Sequence, residues 1–116
     1  MPITCTIADR IAEIVFDVPP VNAFDSETWM SLPGIISDAG RNPEVNCILI
    51  RAEGRGFCGG VDIKEMQAHP ERITLLNRGN YLTFKAIRDA EVPVVSAVHK
   101  FVIGGGIGIC GASDTI

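Results

Sequence analysis

No two of the four cysteines, Cys5, Cys47, Cys58 and Cys110, stand in CxxC spacing, so the 116-residue chain suggests neither a zinc ribbon nor a dense disulfide framework. Reduced thiols in a cytoplasmic setting fit that pattern best. A basic surplus is also missing. Ten Lys and Arg against fourteen Asp and Glu give a formal charge of −4, the wrong sign for nonspecific nucleic-acid binding. The N-terminus shows no basic segment followed by an apolar run of signal length, because Asp9, Arg10 and Glu13 interrupt it, and this argues against secretion. Residues 92–113 are the one membrane-like stretch, but Pro93, His99, Lys100 and the glycines from Gly104 to Gly111 make a poor lipid-facing span, so no membrane partner is expected. Internal repeats, low-complexity tracts and linkers are absent, so 1–116 reads as a single domain.

What is present is a folding composition, 47% hydrophobic and 21% charged. Ile3–Ala8 and Ile11–Asp17, separated by Asp9 and Arg10, predict an antiparallel hairpin. Asp25 or Ser26 caps a predicted helix to about Ala39, with Trp29, Leu32, Ile35 and Ile36 on one face and an irregularity at Pro33–Gly34. Cys47–Arg51 reads as a strand buried on both faces, 72–88 as a helix, and Val92–Val98 as a second apolar strand. The alternation predicts an α/β fold with right-handed crossovers and mostly parallel strands behind the hairpin. Gly104–Ile116 reads as a helix start followed by apolar chain without a polar tail. That ending predicts an uncovered apolar face, as in a fragment incomplete at its C-terminus or an obligate assembly.

Two glycine-rich segments carry the chemistry. In residues 51–66 (RAEGRGFCGGVDIKEM) an apolar strand runs into a turn at Gly59 and Gly60, and Asp62 with Glu65 three positions later forms a capping pair. Glycines let a ligand approach the main chain, and a helix start favours an anion or a developing oxyanion. An ordinary capped strand-to-helix turn explains the same residues. In 92–111 (VPVVSAVHKFVIGGGIGICG) a second strand leads through glycines into a helix start. Two such donor turns at neighbouring strand ends can converge on one oxygen, the geometry of an oxyanion hole. Gly106, Gly108 and Gly111 also satisfy GxGxxG, but the preceding strand ends too early and no acidic residue follows at the right distance, so a dinucleotide site is not expected.

Residues 56–66, with 93–98 (PVVSAV), Gly104–Gly106 and the early 20–24 (PVNAF), together resemble the N-terminal half of the enoyl-CoA hydratase/isomerase (crotonase) superfamily. The resemblance implies the crotonase spiral fold and an acyl-CoA thioester as substrate and partner, with coenzyme A entering as part of that substrate and no separate cofactor or metal. It implies a homotrimer or hexamer completed by later helices. It places the oxyanion hole at the backbone N–H groups of Val61 and Gly105. It lines the CoA path with Ala23, Val61, Asp62, Ile63, Lys64 and Gly105, with Lys64 and Arg55 toward the CoA phosphates. Cys58 is expected to be an inert apolar residue, and His99 to satisfy a backbone carbonyl rather than act in catalysis.

Gly108 departs from the family pattern. Hydratases place a catalytic glutamate two residues after the glycine triplet, and glycine supplies no acid or base. Ordinary hydratase chemistry is therefore in doubt. The run from Gly104 to Gly108, with 60–66 (GVDIKEM), is similar to a mycobacterial branch that hydrolyses a carbon–carbon bond in CoA-linked steroid-ring fragments. There the missing side chain is expected to leave room for a bulky ring. A catalytically degenerate CoA-binding or structural subunit is the alternative of another class.

Overall fold

In a computed structural model, which describes residues 2–116, the strands are β1 (Ile3–Ala8), β2 (Ile11–Phe16), β3 (Ala23–Phe24), β4 (Cys47–Ala52), β5 (Gly60–Val61) and β6 (Val94–Ser96). The helices are α1 (Ser26–Arg41), α2 (Ile63–Ala68), α3 (Ile73–Asp89) and α4 (Gly105–Ala112), with a 3-10 turn at Pro70–Arg72. Strands β1, β2, β4 and β6 form a four-stranded sheet in that order, and β3 pairs with β5 apart from it. The hairpin β1–β2 is antiparallel, whereas β2–β4, β4–β6 and β3–β5 are parallel. Asp9 and Arg10 turn the hairpin with φ of 52° and 65°, the pair of positive values that a two-residue I′ loop needs to match strand twist.

The register aligns Ala12 with Ile48 and Ile14 with Ile50, and Ile48 and Ile50 in turn with Val94 and Ser96. Strand side chains alternate, so this set shares the face turned to the core, and each of them is fully buried. The opposite face is not closed. Cys47, Leu49 and Arg51 on β4 are partly exposed, and Arg51 makes an ion pair there with Glu13 at 3.0 Å. The expectation that β4 is buried on both faces is thus corrected: among the described residues, the face carrying Cys47, Leu49 and Arg51 stays partly open.

Helix α1 begins where Asp25 Oδ1 accepts from Thr28 N at 2.8 Å. It runs unbroken through Pro33 to Arg41, two residues past the predicted end. The expected irregularity does not arise: Trp29, Leu32 and Ile36 hold a continuous core stripe across the proline, while Ile35 lies at its edge. Helix α3 crosses α1 at Gly79, where a side-chain carbon would stand 2.9 Å from Trp29 Cβ. Glycine thus lets the two backbones approach and seats Trp29 in the core. Strand β6 is shorter than predicted. Beyond it Val98, Ile103, Ile107 and Ile116 are exposed, beside an apolar groove lined by Val95, Val102, Ile107 and Cys110. No helix among the described residues is long and apolar enough to cross a membrane.

Candidate active site

The first donor turn follows β4. Asn22 organises it from a position that is 3% exposed, with φ of 54°. Its Nδ2 donates to Glu53 O at 2.8 Å and Gly56 O at 2.9 Å, its Oδ1 accepts from Val18 N at 2.7 Å, and its own carbonyl accepts from Gly59 N at 2.8 Å. Gly59 lies so close to Val21 that a side-chain carbon there would sit 2.7 Å from Val21 O. Gly60, at φ of 88°, is the residue that needs a torsion other amino acids rarely adopt. Asp62 N donates to Phe24 O at 2.9 Å. Successive amides of a strand point to opposite edges, so Val61 N–H faces away from β3.

The second turn lies against the first. Cys58 and Val102 form a parallel bridge, and Ile103 N donates to Cys58 O at 3.0 Å. A side-chain carbon on Gly104 would be 3.7 Å from Gly60 Cα. Gly104 turns the chain at φ of 56°, and α4 starts at Gly105. Gly106 N donates to Ile103 O and Ile107 N to Gly104 O, whereas Gly105 N–H has no acceptor among the described residues. It is one of the free amides that every helix start presents. The amide of Val61, directed away from β3, and the acceptor-free amide of Gly105 therefore belong to two turns in contact.

The other expected residues fall as follows. Ala23 pairs with Gly60 across β3–β5 and is half-buried. Asp62 caps α2, its Oδ1 accepting from Lys64 N at 3.0 Å. The reciprocal half of the capping pair does not form, since Glu65 turns instead to α1. Ile63, Lys64 and Arg55 are exposed, which leaves all three open to a ligand. Ring nitrogen Nε2 of His99 meets Gly54 O at 2.9 Å, the carbonyl role expected of it, and Lys100 is exposed. Cys58 is fully buried, and burial, opposed by a hydrogen bond from Gly60, pushes its thiol up to about 11, far from thiolate chemistry. Gly106, Gly108 and Gly111 lie within α4 rather than in a strand-to-helix turn, which removes the dinucleotide pattern.

Gly108 requires a correction. A side-chain carbon there would overlap the ring of Phe84 on α3, so the room expected beside it is already filled by an aromatic wall. Sequence reading also gave Glu65 the wrong partner. Its carboxylate accepts from Ser26 N and Ser26 Oγ, both at 2.8 Å, and from Arg72 at 3.2 Å. It thereby closes the start of α1 from α2. Burial alone would raise this carboxyl, but the Ser26 bonds and Arg72 outweigh it and the group ends below its ordinary value. A depressed acid contributes stability that is complete above its unfolded-state value and lost as pH falls through the folded-state value. Glu65→Gln is accordingly expected to flatten the acid limb of a urea-midpoint-versus-pH curve while lowering the neutral plateau. The clue was available in the sequence, but i to i+3 spacing favoured the local capping box over a partner 39 residues away.

Residues 6–116 match the enoyl-CoA hydratase/isomerase family. The chain is 50% identical, over its whole length and 46% of the relative's, to a (7aS)-7a-methyl-1,5-dioxo-2,3,5,6,7,7a-hexahydro-1H-indene-carboxyl-CoA hydrolase of Rhodococcus jostii. It is 47% identical to the hydrolase of the same name in Mycobacterium tuberculosis, again over its whole length and 48% of the relative's. A solved enoyl-CoA hydratase/isomerase family protein from Hyphomonas neptunium superposes with a TM-score of 0.87 at 32% identity, over 98% of this chain and 45% of that one. The chain thus spans about half the length of these two hydrolase relatives.

Proposed function

The chain belongs to the enoyl-CoA hydratase/isomerase family, and from that premise we propose that it binds an acyl-CoA thioester and stabilises its enolate between the amides of Val61 and Gly105. The observation carrying this reading is the contact of the two turns, with the Val61 amide directed away from β3 and the Gly105 amide without an acceptor among the described residues. Donors fixed before reaction stabilise charge that appears only in the transition state, and this is commonly the largest single contribution to such catalysis. Exposed Ile63, Lys64 and Arg55 serve the CoA moiety, with half-buried Ala23 and Asp62 at its edge.

Within the family, hydrolysis of a carbon–carbon bond is the reaction proposed. Water adds to a ketone carbon β to the thioester, and the bond from that carbon to the α-carbon breaks. The electron pair passes into the thioester as an enolate held by the two amides, and a proton then returns to the α-carbon. The products are a carboxylate and an acyl thioester. Gly108, walled by Phe84, favours this over hydration, which needs an acid/base group at that place. The names of the two hydrolase relatives support the same choice. Asp62 and Glu65 are engaged as helix caps, so neither is assigned the water. Assembly as a homotrimer or hexamer belongs to the same proposal, supported by the open apolar face around Ile103 and Ile107. A cytoplasmic location is supported by the free cysteines.

Turnover assays across enoyl, 3-hydroxy and cyclic β-keto thioesters, beside titration with unreactive butyryl-CoA, test the reading. Ring opening of the β-keto substrate with little crotonyl-CoA hydration is expected. Preferred hydration would refute the hydrolase assignment, and tight binding without any turnover would leave a CoA-binding subunit.

A further inference from the structure

We infer that Trp29 is a positioning residue for this oxyanion site, with its indole N–H aiming and polarising the Val61 amide while its six-membered ring supports Gly105. The inference rests on the proposed reading of those two amides and deepens it. Trp29 Nε1 donates to Gly60 O at 3.2 Å. That carbonyl and Val61 N–H belong to one peptide group, which is planar and trans, so they point in opposite directions and rotate together. A donor fixed on the oxygen therefore fixes the direction of the N–H. It also polarises the peptide, and chained hydrogen bonds strengthen one another by about 10–30% each.

The other end of the indole meets the second turn. A side-chain carbon on Gly105 would stand 2.7 Å from Cζ2 and 2.8 Å from Cη2 of Trp29, so the ring lies directly under the Gly105 α-carbon. One rigid bicycle thus touches both donor turns and sets their separation. It is itself held on several sides. Trp29 N donates to Asp25 O at 3.0 Å in the first turn of α1, Phe24 packs on the ring with centroids 5.1 Å apart, and Gly79 admits its Cβ. Trp29 is fully buried, so its N–H depends on Gly60 O as partner. The one polar atom of the indole is bonded to the peptide whose N–H the proposed reading assigns to the oxyanion hole, so the donor can be removed separately from the packing of the ring.

The test removes the donor and keeps the ring. Trp29→Phe and replacement of Trp29 by 3-benzothienylalanine, which has the shape of tryptophan without the N–H, are compared with the unmodified protein. The benzothienyl variant keeps the test valid if the phenylalanine one fails to fold. Carbonyl-13C butyryl-CoA serves as the probe, and its thioester C=O stretch is read by isotope-edited infrared spectroscopy. A lowered frequency in the unmodified protein, a smaller lowering in the benzothienyl variant, and a kcat on the cyclic β-keto thioester reduced by about 10-fold with KM within about 2-fold are expected. An equal frequency and equal kcat in the variant would overturn the assignment. So would a change confined to KM, which marks ordinary packing. Absence of any frequency lowering in the unmodified protein would overturn the oxyanion reading itself, and the Trp29 assignment with it.

Discussion

Gly105→Ala is expected to lower turnover by at least about 100-fold, the loss that follows removal of one preorganised oxyanion donor. The amide remains in the variant, but it cannot remain in place. The new carbon would lie 2.5 Å from Asn80 Oδ1 and 2.7 Å from the Trp29 ring, and both neighbours are held. Asn80 Nδ2 is tied to Leu76 O at 3.1 Å, and Trp29 is wedged between Phe24 and α3. The start of α4 must therefore retreat, taking Gly105 N–H away from Val61 N–H. Overpacking of this kind also costs about 1–3 kcal/mol of stability. Gly111→Ala separates the two effects. It lies in the same helix, exposed, with nothing within 4 Å of the added carbon, so it is expected to be stability-neutral or to gain up to about 1 kcal/mol, with full activity. Steady-state kinetics with urea unfolding of both variants reads the difference. Near-normal kcat in a folded Gly105→Ala protein would remove Gly105 from the mechanism.

The hairpin, the capped first helix, the parallel core strands and both glycine turns were legible in the sequence because each rests on local signals: period-two alternation at Ile14 and Phe16, a cap at Asp25, glycine at φ of 88° and 56°. The misreadings share a different cause. Whether β4 is covered on one face or two depends on where the helices pack, and an apolar run reads alike in both cases. Pro33 suggested a break that core contacts at Trp29, Leu32 and Ile36 override. Gly108 showed what the chain lacks but not that Phe84, 24 positions earlier, fills the gap, because helix-to-helix placement is not a property of either segment. Trp29 was visible only as a core residue. Its hydrogen bond to Gly60 spans 31 positions and joins elements that no periodicity relates.

Asn22 is the other long-range organiser, and Asn22→Ala is expected to destabilise the chain by about 3–5 kcal/mol, since each buried group left unpaired costs roughly 1–3 kcal/mol. The side chain serves Val18 N, Glu53 O and Gly56 O, and truncation strands all of them around a site only 3% exposed. Two of these partners belong to the loop that delivers Phe57 to Val61, so surviving folded protein is expected to lose turnover as well. Backbone strain is a separate contribution, because φ of 54° is a conformation asparagine tolerates better than alanine. Asn22→Gly isolates it: glycine accepts the torsion but serves none of the partners, so it is expected to recover only about 1 kcal/mol of the alanine loss. Asn22→Asp keeps the acceptor for Val18 N yet sets a carboxylate against two carbonyl oxygens, so it is expected to be at least as damaging as alanine. Urea unfolding of the three variants distinguishes these contributions. Full recovery in Asn22→Gly would mean that the torsion alone matters and that the loop carrying Val61 is held without the amide.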